Sequence, residues 1–396
     1  QYRYGPIDPR ATDEDYSAEL DTLLSAAVRS HLAADVPVGA FLSGGWDSSL
    51  TAALAARSIG SKLKTFSIVF PGDPSADESR FSRLMARQLG SDHHEIEFHG
   101  SLMPDLVPKI ARGIEEPCAN VPAGVLYVLA SLAHAHVKTV LSGEGADELF
   151  AGYKQFGVNF PYLLRHFVPR PAARLAASVC GHVRLRRGLR FLGAKDERTA
   201  DAEWVRLFTP GDKRKILAGE FQFGAPDLEP VLLDPGVLAT CRDTLQRRLA
   251  FEFAGRLGNA VLLESDKMAM AHSLEVRMPF LDHAIVEFAL RLPSRLKMHR
   301  GREKVILSTL AKRYLPPEIA NRRKKGLAYP GGFWMRPPCN RFVRELLLDS
   351  ASGPFDRASL LRNVPVWLSR PSGGSPINRL VFLQSWWNEF IAGSAK

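Results

Sequence analysis

Between positions 43 and 49 the chain reads Ser43-Gly44-Gly45-Trp46-Asp47-Ser48-Ser49, a turn of small residues with one carboxylate set inside it. Where such a turn opens a helix, successive backbone N–H groups form a nest for anions, reinforced by the positive end of the helix. Ser43 and Ser48 add hydroxyl donors, so phosphate oxygens are suitable guests. Asp47 would repel them unless a divalent cation lay between carboxylate and phosphate. No lysine follows the glycines and G-x-x-x-x-G-K-[ST] is absent, so this is not a Walker A loop. A second small-residue loop runs Ser142-Gly143-Glu144-Gly145-Ala146-Asp147-Glu148. Gly143 and Gly145 allow close backbone approach, and Asp147 offers a second cation ligand opposite Asp47. Glu144 supplies a carboxylate where an amine nucleophile would need a base or an ammonium clamp. Glu148 stands where a dinucleotide fingerprint carries its third glycine, which weakens a Rossmann reading. Each feature has a plainer reading when taken alone: a Gly-Gly turn with a capping serine, a helix-dipole glutamate, and, at Arg322-Arg323-Lys324-Lys325, a solvated basic patch.

These loops need rigid elements to hold them. Thr12 and Asp15 spell a capping box, and Leu20, Leu23, Leu24, Ala27, Val28 and Leu32 follow at helical spacing, predicting a helix over 12–34 that Pro37 ends. The apolar run 38–42 predicts a strand ending at the first loop, with helix from 50 to 58 behind it and Gly60 as its cap. Strands at 63–70, 94–98 and 137–141 alternate with helices at 76–89 and 122–136, and the last strand ends at the second loop. This alternation predicts an α/β fold with a parallel, doubly wound sheet. Ligands of such sheets lie beyond the carboxyl ends of the strands, so both loops should face one crevice. From about Tyr153 onward strand signals fade and helical patterns dominate, an appended helical portion closing the site.

The 396 residues, 45% hydrophobic and 24% charged, exclude a disordered or fibrous chain and are ample for two lobes or one large unit. The longest apolar stretches, near 123–133 and 172–180, are shorter than a membrane span requires, and no signal peptide is expected at Gln1. Much of the net charge of +10 sits between Arg165 and Arg198, where Phe191 is the only aromatic beside the densest run of arginines. Such a segment reads as a solvated helix face rather than a nucleic-acid surface. Cys118, Cys180, Cys241 and Cys339 lie too far apart for a C-x-x-C motif and read as reduced thiols of a cytoplasmic protein.

The string Ser43 to Ser49 after a strand resembles the pyrophosphate loop of the ATP pyrophosphatases, which cleave ATP to AMP and pyrophosphate. The segments 142–153 and 273–282 are similar to signatures of the synthetase domain of class B asparagine synthetases. So are Glu78-Ser79-Arg80-Phe81, Gly301-Arg302-Glu303-Lys304 and Arg322-Arg323-Lys324-Lys325-Gly326-Leu327, all in the family's order, from about Ala18 to Phe390. The resemblance implies a sheet of the adenine nucleotide α-hydrolase type, divided as an N-terminal helix (1–35), an ATP pyrophosphatase core (36–153) and a helical remainder (154–396). It implies ATP and Mg2+ as cofactors, a small carboxylate as substrate, and ammonia or an amine as donor. The reaction would be an AMP-forming carbon–nitrogen ligation through an acyl-adenylate, with asparagine synthesis from aspartate the leading case. Amidation or cyclisation of a natural-product, peptide or polysaccharide precursor is the alternative, and a non-catalytic nucleotide module a more distant one.

Carried onto this chain, the resemblance assigns ATP and pyrophosphate binding to Leu42, Ser43, Gly44, Gly45, Asp47, Ser48, Ile68, Ser142 and Gly143, with Leu42 and Ile68 flanking the adenine. It assigns Mg2+ to Asp47 and Asp147, catalysis to Glu144 and Lys324, and acceptor contacts to Asp266 and Arg277, with Lys304 a weaker phosphate candidate. Two departures stand out: Trp46 replaces an aliphatic residue, and Glu264-Ser265-Asp266-Lys267 differs from the usual charged sequence, which bears on aspartate as the acceptor. Gln1 leads within a few residues into the first helix, and the first cysteine is Cys118, so the expectation is a synthetase half without its N-terminal glutaminase. Such a chain would use ammonium or an amine, not glutamine, unless a glutaminase domain or subunit joins it. No nucleic acid or membrane partner is expected.

Overall fold

The computed structural model describes residues 4–117, 121–157, 165, 167–180, 183–196, 199–200, 203, 206, 208–222, 235–322, 332–350, 352–369 and 374–393. Thr12 and Asp15 form the expected capping box, and helix α1 (Asp13–His31) buries Tyr16, Leu20, Leu24, Ala27 and Val28 along one stripe. Strand β1 (Val38–Phe41) follows, buried throughout. Helix α2 (Trp46–Ser58) begins directly after Gly45, earlier than the apolar pattern suggests, and ends at Ile59 rather than Gly60. The small-residue turn is therefore joined to the positive end of a helix, as an anion nest requires.

Strand β2 (Lys64–Val69), helix α3 (Ser79–Leu89) with Gly90 left-handed behind it, and strand β3 (Asp92–Glu97) continue the alternation. Helix α4 (Met103–Ile114), not anticipated from the sequence, and helix α5 (Val121–His134) lead to strand β4 (Thr139–Leu141). A fifth strand, β5 (Glu275–Arg277), joins the sheet from the helical half of the chain. The order is β3-β2-β1-β4-β5 and every pair is parallel. The chain winds outward from β1 through β2 to β3 and then returns to place β4 on the other side of β1. That reversal leaves a crevice between the carboxyl ends of β1 and β4. Val38 pairs with Thr139 and Ala40 with Leu141, so the two glycine-rich loops leave the sheet side by side.

Alternation of side chains assigns the two faces. Val38, Ala40 and Leu42 pack with α1, α2 and the helices Val305–Tyr314 and His283–Arg291, whereas Phe41, Phe66 and Val140 pack with α5. Helix α4 builds a further core with the helices Cys339–Leu348, Arg357–Leu368 and Gly374–Trp387. Among the described residues no helix is long and apolar enough to cross a membrane.

Arg277 ties the last strand to the first helix. Its Nη1 donates to the carbonyls of His31 and Ala33, each at 2.8 Å, and its Nε bonds Glu275 at 2.9 Å. A guanidinium there satisfies carbonyls that the end of α1 leaves without intrahelical partners. Arg277→Met should cost about 1–2 kcal/mol of stability, read as a lower thermal midpoint, with acceptor KM unchanged. An unchanged midpoint with a raised KM would instead favour the acceptor contact that the sequence resemblance implies for Arg277.

Candidate functional site

The first loop is folded onto itself. Leu42 N–H donates to the Phe66 carbonyl at 2.8 Å, holding the strand end, and its own carbonyl accepts the Ser67 hydroxyl. Ser43 N–H donates to Ser48 Oγ at 3.1 Å, the two hydroxyls lie 2.9 Å apart, and Gly45 N–H reaches Ser43 Oγ at 3.3 Å. Gly44 has φ +74°, and a Cβ there would stand 2.6 Å from Phe81 Cβ and 2.7 Å from the Ser82 nitrogen, so only glycine fits. Arg322 clamps the same residue from the other side. Its Nη1 donates to the Gly44 carbonyl at 2.9 Å, its Nη2 pairs with Glu78, and its guanidinium stacks 4.1 Å from the Phe81 ring centroid. Segments 78–81 and 322, far apart in sequence, thus meet at the phosphate loop.

The second loop rests on the first. A Cβ at Gly143 would meet Ser48 N at 2.6 Å, so this loop lies against the first turn of α2. Ser142 N–H donates to the Arg277 carbonyl at 2.8 Å, and Ser142 Oγ accepts Glu144 N–H at 3.4 Å. Gly145, at φ +89°, starts the short helix Ala146–Leu149 that carries Asp147.

Asp47 and Asp147 converge on one cation, the ammonium of Lys304, which lies 2.6 Å from Asp47 Oδ2 and also contacts Asp147 Oδ1. Lys304 is 2% exposed. Burial opposes its charge, but the two carboxylates more than offset this and its pKa is raised. The hairpin of Met298–His299 and Arg302–Glu303 delivers it, and Lys304 itself takes the left-handed conformation, φ +50°, at the start of the helix Val305–Tyr314. Among the described residues no group of three or more His, Cys, Asp or Glu could hold a metal. Two carboxylates accepting a cation do fit Mg2+ completed by substrate phosphates and water, its usual mode in nucleotide sites.

Glu144 sits in a poorer dielectric. Its Oε2 is buried with no hydrogen-bond partner among the described residues, and burial pushes its carboxyl up to about 7, with nearby Glu148 and Glu264 adding to the effect. The Ser265 hydroxyl, which makes no hydrogen bond of good geometry, partly opposes the shift. Glu148 is buried and differently served: Tyr153 donates to it at 2.5 Å and Arg256 at 3.1 Å, while Arg256 also binds Glu252 at 2.6 Å and covers the Tyr153 ring. Arg256 lies in the π-helical stretch Glu252–Leu262; sequence reasoning singled out neither it nor Glu252, and met Tyr153 only as the end of the second-loop signature.

The remaining candidates divide. Leu42 is buried at the strand end and Ile68 is partly buried on β2. Asp266 is exposed, whereas Glu264 and Ser265, its neighbours in the helix Leu263–Met270, are buried and act on Glu144. Arg277 contributes its carbonyl to the second loop while its side chain turns to α1. Trp46 turns away from the nest, its indole N–H bonded to the Ile319 carbonyl at 2.8 Å. Lys324 lies outside the described residues.

The family model for asparagine synthase matches residues 19–387. The chain is similar to asparagine synthetase [glutamine-hydrolyzing] 1 of Bacillus subtilis, 30% identical over 88% of this chain and 55% of the relative. It is also similar to a putative asparagine synthetase [glutamine-hydrolyzing] of Mycobacterium bovis, 33% identical over 83% of this chain and 50% of that one. An amidase of Penicillium rubens, chyE, is 29% identical over 86% of this chain and 56% of its own length. The chain thus spans about half the length of these relatives.

Glu144 offers a test of the site's dielectric. Its carboxyl loses a proton near pH 7 when folded but near its ordinary 4.5 when unfolded, so stability falls as pH rises through that window. Glu144→Gln, neutral throughout, should raise stability by about 3 kcal/mol at pH 8 and by under about 1 kcal/mol at pH 5, measured by denaturant unfolding. Equal effects at both pH values would place Glu144 in ordinary solvent.

Proposed function

Because the chain belongs to the asparagine synthase family, we propose that it is an ATP-dependent, amide-forming synthetase unit, with asparagine formation from aspartate and ammonia as the leading reaction. The observation that carries this reading is the meeting of Asp47 and Asp147, from the ends of β1 and β4, on a single buried cation beside the anion nest. In this reading segments 1–35, 36–153 and 154–396 work as one unit. Ser43, Gly44, Gly45, Ser48, Ser142 and Gly143 take the pyrophosphate portion of ATP, and Leu42 and Ile68 border the adenine. Asp47 and Asp147 would hold Mg2+, which would supply positive charge against the phosphates. A substrate carboxylate oxygen then bonds to the α-phosphorus as the bond to pyrophosphate breaks, with the Lys324 cation stabilising the charge that develops.

The amine step suits Glu144. A carboxyl titrating near 7 is ionised often enough to take a proton from an attacking amine and basic enough to hold it. The amine nitrogen bonds to the acyl carbon, the bond to AMP breaks, and the surplus proton passes to Glu144. Glu148, paired with Tyr153 and Arg256, stays out of this exchange and fixes the loop.

A second reading has its own support: the acceptor wall carries buried Glu264 and Ser265 where the family's usual charged sequence differs, and a similar relative is named an amidase. In that reading another carboxylate replaces aspartate. Pyrophosphate exchange into ATP across a panel of carboxylates and peptides distinguishes the two, and exchange with none of them would leave neither standing.

ATP turnover is expected to yield AMP and pyrophosphate and to need Mg2+; ADP and orthophosphate as primary products would sink the proposal. Asp47→Asn should slow turnover by roughly 10- to 100-fold, about 1.4–3 kcal/mol of barrier. Glu144→Gln should keep substrate-dependent pyrophosphate exchange and lose amide product, whereas Lys324→Ala should lose both. Loss of both steps in the Glu144 variant would contradict its role.

A further inference from the structure

Two partly buried carboxylates and one buried ammonium form the tightest charged cluster of the cleft, and the ammonium stands where a divalent cation joining the same carboxylates would stand. A lysine Nζ 2.6 Å from Asp47 and in contact with Asp147 leaves no room between them for a second cation, whose own oxygen contacts would be only about 2.0–2.1 Å long for Mg2+. The backbone that presents Lys304 is constrained, since Arg300, Gly301 and Lys304 all have positive φ and the Ser308 N–H donates to the Lys304 carbonyl at 3.1 Å. The four-carbon side chain beyond it is buried but has rotatable bonds of its own, so turning it from carboxylate to phosphate needs no change of backbone.

We propose that Lys304 is a resident counter-cation that keeps the metal position between Asp47 and Asp147 filled until a nucleotide arrives. Metal alone cannot displace it, because the ammonium is tethered and already contacts both carboxylates. A triphosphate in the nest offers the ammonium a competing anion, and its departure opens the pair to the divalent cation that accompanies the nucleotide. The site then takes up metal and nucleotide together, and the carboxylate pair is never left without a positive charge between its members. This proposal rests on the reading of the cleft as a nucleotide site.

Mn2+ serves as the probe, followed by electron paramagnetic resonance and by calorimetry on the full chain. Without nucleotide, wild type should show no Mn2+ site attributable to the pair. Lys304→Met should gain one, at least about tenfold tighter than any wild-type binding, and Lys304→Met with Asp47→Asn should lose it again. Thermal unfolding gives an independent readout that tolerates a destabilised variant: Mn2+ alone should raise the midpoint of Lys304→Met and leave that of wild type unmoved. With α,β-methylene-ATP present, wild type should take up Mn2+ as well. Nucleotide-free wild type binding Mn2+ as tightly as Lys304→Met would overturn the proposal, as would a Lys304→Met variant that gains no site while still taking up Mn2+ with the analogue. Wild type and variant both failing to bind Mn2+ with the analogue would instead remove the nucleotide reading itself, and this proposal with it.

Discussion

Like charges in a cleft of low dielectric repel strongly, and the architecture of this protein is organised around making two of them tolerable. Asp47 and Asp147 come from different crossovers, and only the pairing of β1 with β4 brings their loops together. The cation between them comes from a third region, delivered by a hairpin whose turn and exit both require the left-handed conformation. Ionic clusters around a buried cation stabilise little in net terms because desolvation offsets their attraction, but removing the partners of that cation leaves it uncompensated. The consequence is that sheet, hairpin and helix must be assembled in one geometry for any of the three side chains to be accommodated.

The same cleft separates its carboxylates by environment. Asp47 and Asp147 share one ammonium, Glu148 is bound by an arginine and a tyrosine, and Glu144 is desolvated beside two other carboxylates, so that its protonation competes near neutrality. Groups of one chemical type thereby acquire different tasks: holding a cation, fixing a loop and moving a proton. Distance in sequence has little bearing on this, since Glu144, Asp147 and Glu148 lie within five residues of one another.

Alternating strands and helices over the first 150 residues were legible because apolar runs there end in small-residue turns, and both loops fall at strand ends as that pattern implies. Strand β5 was not, since Glu275-Val276-Arg277 is three residues long, two of them charged, and becomes a strand only through its ladder with β4. Within the helix Leu263–Met270 the phase was available: Met268 and Ala269 are fully buried, and one turn back along the same face stand Glu264 and Ser265, while Asp266 faces outward. The place of Lys304 depended on a kink that no local pattern announces, a non-glycine residue with positive φ beginning a helix. Arg256 was invisible for a similar reason, because its partners lie on the second loop and in its own π-helical stretch.

Gly143 has room for no β-carbon because the backbone of Ser48 already occupies that space. The loop from β4 and the first turn of the helix after β1 are therefore fitted to each other as one mould is to its cast, and neither has a shape of its own. A designer who transplanted the phosphate loop alone into another parallel sheet would carry over half of a matched pair. The smallest portable unit is both loops with the two neighbouring strands that set their separation, and the freedom to vary either sequence is limited by the other.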